Sequence, residues 1–281
     1  MQSFAIQKIY SLRADANALG GYLEKPLEKA IPILAPVSLP AVGGVATARS
    51  EAFTLDEIVS CSAAYTRVSG RENPVRGTIS SSSLLVTAVV EDLNILEVVR
   101  AERVVAQVSI DISSGSALEI SLAGSGFEGL WLAGQKCRPE LNEDLQRPGL
   151  TWEDVRGAGL KQGEKLLPDF QKHSEAAYQW ALSRHRRMSS DPKKPADGDS
   201  AGKPVGGGSA QASLVNSLPV SGAAWSCGHV VHIPHFGRII FGELLISRET
   251  VQLVAIRAEL GCVTAGRITA CCGGGGGTGE N

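Results

Sequence analysis

The chain is poor in aromatic residues, which fill only 5% of its 281 positions. That scarcity excludes a broad stacking surface for bases or sugars and leaves the core to Val, Leu, Ile and Ala. Excess charge of one sign is also missing. Twenty-seven Lys and Arg against 29 Asp and Glu leave a net charge of −2, so no global field draws in nucleic acid or an anionic membrane. No apolar run approaches the roughly 18 residues that a membrane-spanning helix needs. The start, Met1-Gln2-Ser3-Phe4-Ala5-Ile6-Gln7-Lys8, lacks a basic segment followed by an apolar one. It does not read as a signal peptide, which makes the cytoplasm the default expectation. Catalytic motifs are missing too. The glycine runs 206–208 and 273–277 are not followed by the Lys-Ser/Thr of a phosphate loop, and Ser80 to Ser83 lack a strand–turn–helix elbow.

Glycine, by contrast, is abundant at 32 residues, which suits many turns and close strand packing. Hydrophobic residues make up 43% and charged residues 20% of the chain, enough for a sizeable core. Two apolar, β-branched blocks, 78–123 and 229–270, flank a stretch of different periodicity. The clearest strand covers 101–112. Val104, Ala106, Val108, Ile110 and Ile112 point one way there, and Arg103, Gln107, Ser109 and Asp111 the other, as in a half-buried antiparallel strand. Further strands are expected at 4–12, with Phe4, Ile6 and Tyr10 on one face, and at 83–90, 93–99, 117–123, 236–246 and 250–258. Pro26, Pro32, Pro36 and Pro40 exclude a helix over 20–44 and favour extended edge segments. Two short strands fit 45–70, with 69–74 as a loop between hairpin arms.

Between the blocks the period becomes helical. Thr151 is placed as an N-cap with Glu153 and Asp154 in the first turn, and Pro168 is placed to open a second helix. Phe170, Ser174, Ala177 and Ala181 form one stripe. The expected organisation is a β-rich part over 1–150, a helical insertion over 151–188, and a flexible linker over 189–213. A β-rich part over 214–272 then completes the same domain, and a disordered glycine-rich tail covers 273–281. The fold class is mainly β: an antiparallel β-sandwich or jelly-roll-like double sheet carrying the helices.

Four pieces in this order resemble the bacterial choice-of-anchor P type of β-protein. They are Val37-Ser38-Leu39-Pro40-Ala41-Val42-Gly43-Gly44, then Leu93-Asn94-Ile95-Leu96 leading into Ala101 to Ala106, then Gly129 to Gly134, then Ile233 to Ile239. Gly, Leu and Val carry these motifs, which cover about half of the chain. The resemblance implies a secreted or surface-displayed β-domain without known catalysis. The helical insertion departs from that group.

Three of the five histidines fall close together in Cys227-Gly228-His229-Val230-Val231-His232-Ile233-Pro234-His235. On one extended strand, Cys227, His229 and His235 would share a face and His232 would take the other. Thiolate and neutral imidazole are good zinc ligands, so Cys227, His229, His232 and His235 form the candidate metal set, with Cys262 or Cys137 as a further ligand. The plainer alternative is a polar strand end with histidines at the surface. The six cysteines are scattered, which favours free buried thiols; a pair joining the neighbourhoods of Cys227 and Cys262 stays open.

These readings converge on a non-catalytic structural or interaction protein that self-associates, surface- or assembly-related, with a homo-oligomer or another protein as its partner. No nucleic acid and no integral membrane segment are expected. The alternative is a metal-binding module, or a metal-dependent enzyme, built on the Cys227–His235 cluster with zinc.

Overall fold

The computed structural model describes residues 9–39, 43–75, 78–113, 118–188, 209–247, 250–261 and 265–280. The first strands are β1 (Ile9–Leu23), β2 (Lys29–Leu34), β3 (Val37–Ser38), β4 (Gly44–Ser50), β5 (Phe53–Leu55), β6 (Val59–Cys61) and β7 (Ala63–Val75). There follow β8 (Thr78–Ile95), β9 (Val99–Ser113), β10 (Glu119–Ser121), β11 (Gly126–Glu128), β12 (Trp131–Leu132), β13 (Gln135–Lys136) and β14 (Glu140–Leu141). After a 3₁₀ turn (Glu143–Leu145) come α1 (Trp152–His173) and α2 (Glu175–Met188). The last strands are β15 (Ala210–Ser213), β16 (Val215–Ser217), β17 (Trp225–Cys227), β18 (Val230–Ile233), β19 (Gly237–Ile246), β20 (Thr250–Gly261) and β21 (Ala265–Glu280).

The fold is mainly β, with antiparallel sheets. One nine-stranded sheet runs β17-β18-β19-β20-β21-β1-β2, with β15 beside β19 and β3 beside β1. A ten-stranded sheet is centred on β8 and β9, and β14 pairs with β16. The two large sheets face each other across one core, in which Val86, Val104, Ala106 and Val108 of the second sheet join Ala14, Ala16, Leu253 and Phe241 of the first. The Cys271 thiol donates to the Val104 carbonyl 3.2 Å away across that interface. The early β1 pairs along its whole length with β21, from Ile9↔Glu280 to Leu23↔Gly266, and so lies in the sheet built mainly from the late strands.

β9 follows its alternation, with Val104, Ala106, Val108 and Ile110 buried. Elsewhere the ladder corrects the sequence expectation. Residues 69–74 are not a loop; they lie in β7 and pair with β8, Arg71 opposite Ser83. β8 runs on to Ile95, and 96–98 form the turn into β9. Phe4 and Ile6 lie outside the described residues, as do 189–208 of the expected linker. The end of that linker, Ala210–Ser213, is strand β15 paired with β19. The glycine run expected to be disordered is part of β21, between β1 and β20; Asn281 is outside the described residues. The run is strand because the facing sheet demands it. A Cβ on Gly273 would come within 2.7 Å of Val86 Cγ1, so the absent side chain is what permits this close approach.

The helices form a hairpin on the outer face of the first sheet. Thr151 caps α1 as expected. Its hydroxyl accepts from the Asp154 amide at 3.3 Å, and the Asp154 carboxylate accepts from the Thr151 amide at 2.9 Å, a closed capping box. Pro168 lies inside α1 rather than opening a new helix, and the chain breaks at Ser174, whose backbone is extended. Phe170, Ala177 and Ala181 are nevertheless buried together against Cys227, Val230 and Ile240, so the predicted stripe covers the sheet from both helices. Gln162 fastens α1 to β15: its side-chain oxygen accepts from Ser213 N at 2.8 Å, and its nitrogen donates to Ser213 O at 2.9 Å. No helix among the described residues is long and apolar enough to cross a membrane.

Candidate functional site

The segment from Cys227 to His235 is not one extended strand. β17 and β18 form a tight hairpin in which Cys227 pairs with Val230, and Gly228 and His229 make the turn. Gly228 takes φ 55 there, a left-handed conformation that favours glycine at a hairpin turn. The turn removes the shared face on which the metal reading relied. Cys227 points into the helix–sheet core with Phe170 and Ile240. His229 lines a small cavity beside Gln211 and Trp180. His232 and His235 line a different cleft. Among the described residues no three His, Cys, Asp or Glu side chains converge as a metal-holding group. Cys61, Cys137, Cys227, Cys271 and Cys272 are free, and Cys262 lies outside the described residues. Burial pushes the Cys227 thiol up to about 11, with Asp169 adding to the rise and Lys172 opposing it. The thiol therefore stays protonated near neutrality, an unreactive form.

The register builds a different cluster. One rung crosses the outer face of the nine-stranded sheet: Trp225 opposite His232, His232 opposite Arg238, Arg238 opposite Glu259, Glu259 opposite Arg267, and Arg267 opposite Tyr22. Directly opposed residues in neighbouring strands share a face, so these side chains stand in a row. The row holds two guanidinium groups and one carboxylate.

The helical hairpin closes one end of it. His173, the last residue of α1, stacks on Trp225 with centroids 4.1 Å apart. His232 stacks on the same indole at 5.0 Å. Phe170 meets Trp225 edge-on at 6.0 Å, and the Arg238 guanidinium lies 4.6 Å from the centroid of the Trp180 ring. The pKa of His232 is lowered, first by burial and then by the charges of Arg238 and His173, so its neutral form is favoured. Its Nδ1 atom is buried without a hydrogen-bond partner.

Below this end lies a cleft of about 290 Å³ lined by His232, His235, Arg238 and Glu259 with Ile233, Phe236, Gly237, Leu260 and Gly261. His235 holds the turn at its edge with φ 62, an uncommon backbone for a residue other than glycine. Two of the four residues singled out from sequence, His232 and His235, thus meet in one cleft, and Cys227 and His229 lie elsewhere. The sequence reading missed His173, Trp180, Trp225, Arg238 and Glu259, which come from separate segments. A register that paired 225 with 232 and 238 with 259 would have found most of them.

A broader and more polar depression of about 1070 Å³ lies between Gly124 to Glu128 and Arg138 to Gln146. Residues 10–247 match the family described as Domain of unknown function (DUF8256), and the chain belongs to that family. No curated protein and no solved structure matches it.

Proposed function

We propose that this family member is a non-catalytic structural or interaction protein that assembles with copies of itself through the rim formed by β2 and β4. The observation that carries the reading is a pair of edges on this rim that no other strand among the described residues pairs. β2 ends the nine-stranded sheet, and among the described residues β4 pairs only with β7. Ile33 on β2 is 61% exposed and Val45 on β4 is 62% exposed. Ala35, the residue after β2, donates to the Ser50 hydroxyl at the end of β4 at 2.9 Å and accepts from the Thr66 hydroxyl of β7 at 2.7 Å, which holds the two sheets together at this rim. An exposed edge with apolar side chains is a template for adding another strand. Pro32 removes one donor from β2, whereas β4 carries no proline, so β4 is the edge that offers an uninterrupted ladder.

The protonated Cys227 thiol and the separation of the candidate metal residues support the non-catalytic part of the reading. The secreted or cell-surface setting implied by the resemblance to choice-of-anchor P proteins is carried as part of the same proposal.

Size-exclusion chromatography with light scattering tests it. The expected result is a concentration-dependent mass that falls to the monomer in Val45→Lys, with the far-ultraviolet circular dichroism unchanged. A strict monomer for the unmodified chain at high concentration overturns the proposal.

A further inference from the structure

We propose that the cleft beside the β18–β19 turn binds a phosphoryl group, with Arg238 as its main contact and His232 and His235 at its sides. Arg238 is held in advance. Its guanidinium lies on the Trp180 ring at 4.6 Å, an arrangement that occupies the face of the group and leaves its edge N–H donors available. Among the described residues, no hydrogen bond or ion pair engages that guanidinium. The opposed Glu259 stands between Arg238 and Arg267 on the same rung, so one carboxylate faces two cations and the row keeps a surplus positive charge.

The two histidines favour phosphate over a carboxylate. A phosphomonoester carries about 1.5 to 2 negative charges near neutrality and presents three acceptor oxygens. A guanidinium edge fills two of these in a bidentate pair, and an imidazole N–H can serve a third.

The size of the cleft argues for an ester rather than the free ion. A volume of about 290 Å³ is several times the roughly 30 Å³ that one water molecule takes in the liquid. Apart from Glu259, whose carboxylate faces Arg238 and Arg267, its remaining wall is apolar or glycine: Ile233, Phe236 and Leu260 are each buried to 6% exposure or less. That wall suits the organic part of a small phosphomonoester, anchored by its phosphoryl end.

The test is a titration of the full chain at pH 7 and constant ionic strength, read by tryptophan fluorescence and by ³¹P line broadening. Trp180 beneath Arg238 and Trp225 beside His232 report on the site. Inorganic phosphate and phenyl phosphate are the probes, with acetate and chloride as references. The expected result is saturation by both phosphates, with phenyl phosphate tighter by about tenfold, the equivalent of ~1.4 kcal/mol. Arg238→Gln should weaken both by at least about tenfold, as loss of a bidentate charge-assisted pair would. His235→Asn, which tolerates the left-handed turn, should weaken both by a smaller factor and does not depend on the fold of the arginine variant. A response that matches chloride overturns the site, as does equal binding in both variants. Acetate as tight as phosphate overturns the phosphoryl assignment. Inorganic phosphate as tight as phenyl phosphate overturns the ester.

Discussion

His173 lies flat against Trp225, with ring centroids 4.1 Å apart and planes 10° apart. One residue ends a helix and the other sits in the edge hairpin of a sheet, so the contact fastens the helical insertion to the sandwich. His232 stacks on the same indole, with Arg238 opposite it on the neighbouring strand. Aromatic pairs of this kind contribute about 0.5–1.5 kcal/mol beyond the area they bury.

Acid should loosen this end of the molecule. The folded pKa of His232 is lowered from the ordinary 6.5 by burial, then by Arg238 and by His173. The unfolded chain therefore takes up the proton first as pH falls. The contribution to stability is complete above about pH 6.5 and is lost as pH drops below it toward the folded value. Urea midpoints at pH 7.5 and pH 5 check this. His232→Phe keeps a stacked ring without a titrating group and should show a shallower acid decline; an identical decline would remove His232 from the account.

Two neighbouring glycines of α1 should respond in opposite directions to the same change. A Cβ on Gly159 would lie 1.8 Å from the Gln211 carbonyl oxygen of β15, a clash with backbone that only a shift of the helix relieves. Gly159→Ala should cost about 1–3 kcal/mol or more. Nothing lies within 4 Å of a Cβ on Gly157, so Gly157→Ala should be neutral or stabilise by up to about 1 kcal/mol through helix propensity. Thermal denaturation of the two variants separates the outcomes, and equal effects would mean that the helix does not press on β15 as described.

The adjacent Cys271 and Cys272 should differ sharply toward a thiol reagent. Cys271 is fully buried, and burial drives its thiol pKa far up; Cys272 is partly exposed on the opposite face. In a Cys262→Ser background at pH 8, one rapid label at Cys272 is expected. Cys61, Cys137, Cys227 and Cys271 should react only on unfolding. Rapid labelling of Cys271, located by peptide mass, would contradict its place in the core.

A cut between the helices and β15 should not separate the chain. β1 from the early part is hydrogen-bonded between β21 and β2, so the two fragments share a sheet. A protease site introduced within 189–208 should give two pieces that co-elute under native conditions and part only in denaturant. Separation in native buffer would show that the early and late strands fold independently.

The regular strands were legible because their burial follows period two, as in β9, and the N-cap of α1 was legible because Thr151 and Asp154 have the right spacing. The late sheet was harder for a specific reason. Its ladder breaks at one rung through β19, β20, β21 and β1, where Gly242, Ala255, Cys271 and Ala18 miss their regular pairs. Gly242 and Cys271 take positive φ, 61 and 52, at that rung. Residues on either side then switch faces. Ala18 and Leu19 both enter the core, as do Ala255 with Ile256 and Ala270 with Cys271. Consecutive core residues erase the alternation on which strand reading depends. The glycine run was misread because composition speaks of entropy, whereas the close approach of Val86 is a tertiary fact. The row from Trp225 to Tyr22 could not be read because it exists only through register.

The ladder between β1 and β21 also governs the order of events at the ribosome. The Thr269 hydroxyl donates to the Gly20 carbonyl across a separation of 249 residues. A strand made early therefore waits, unzipped on one side, until the residues between it and β21 have emerged. Such distant pairing makes for slow maturation and a nascent chain that sticks to its neighbours. Guarding that interval is a task for chaperones, and variants that delay β21 should be lost to aggregation during synthesis even where the finished protein tolerates them.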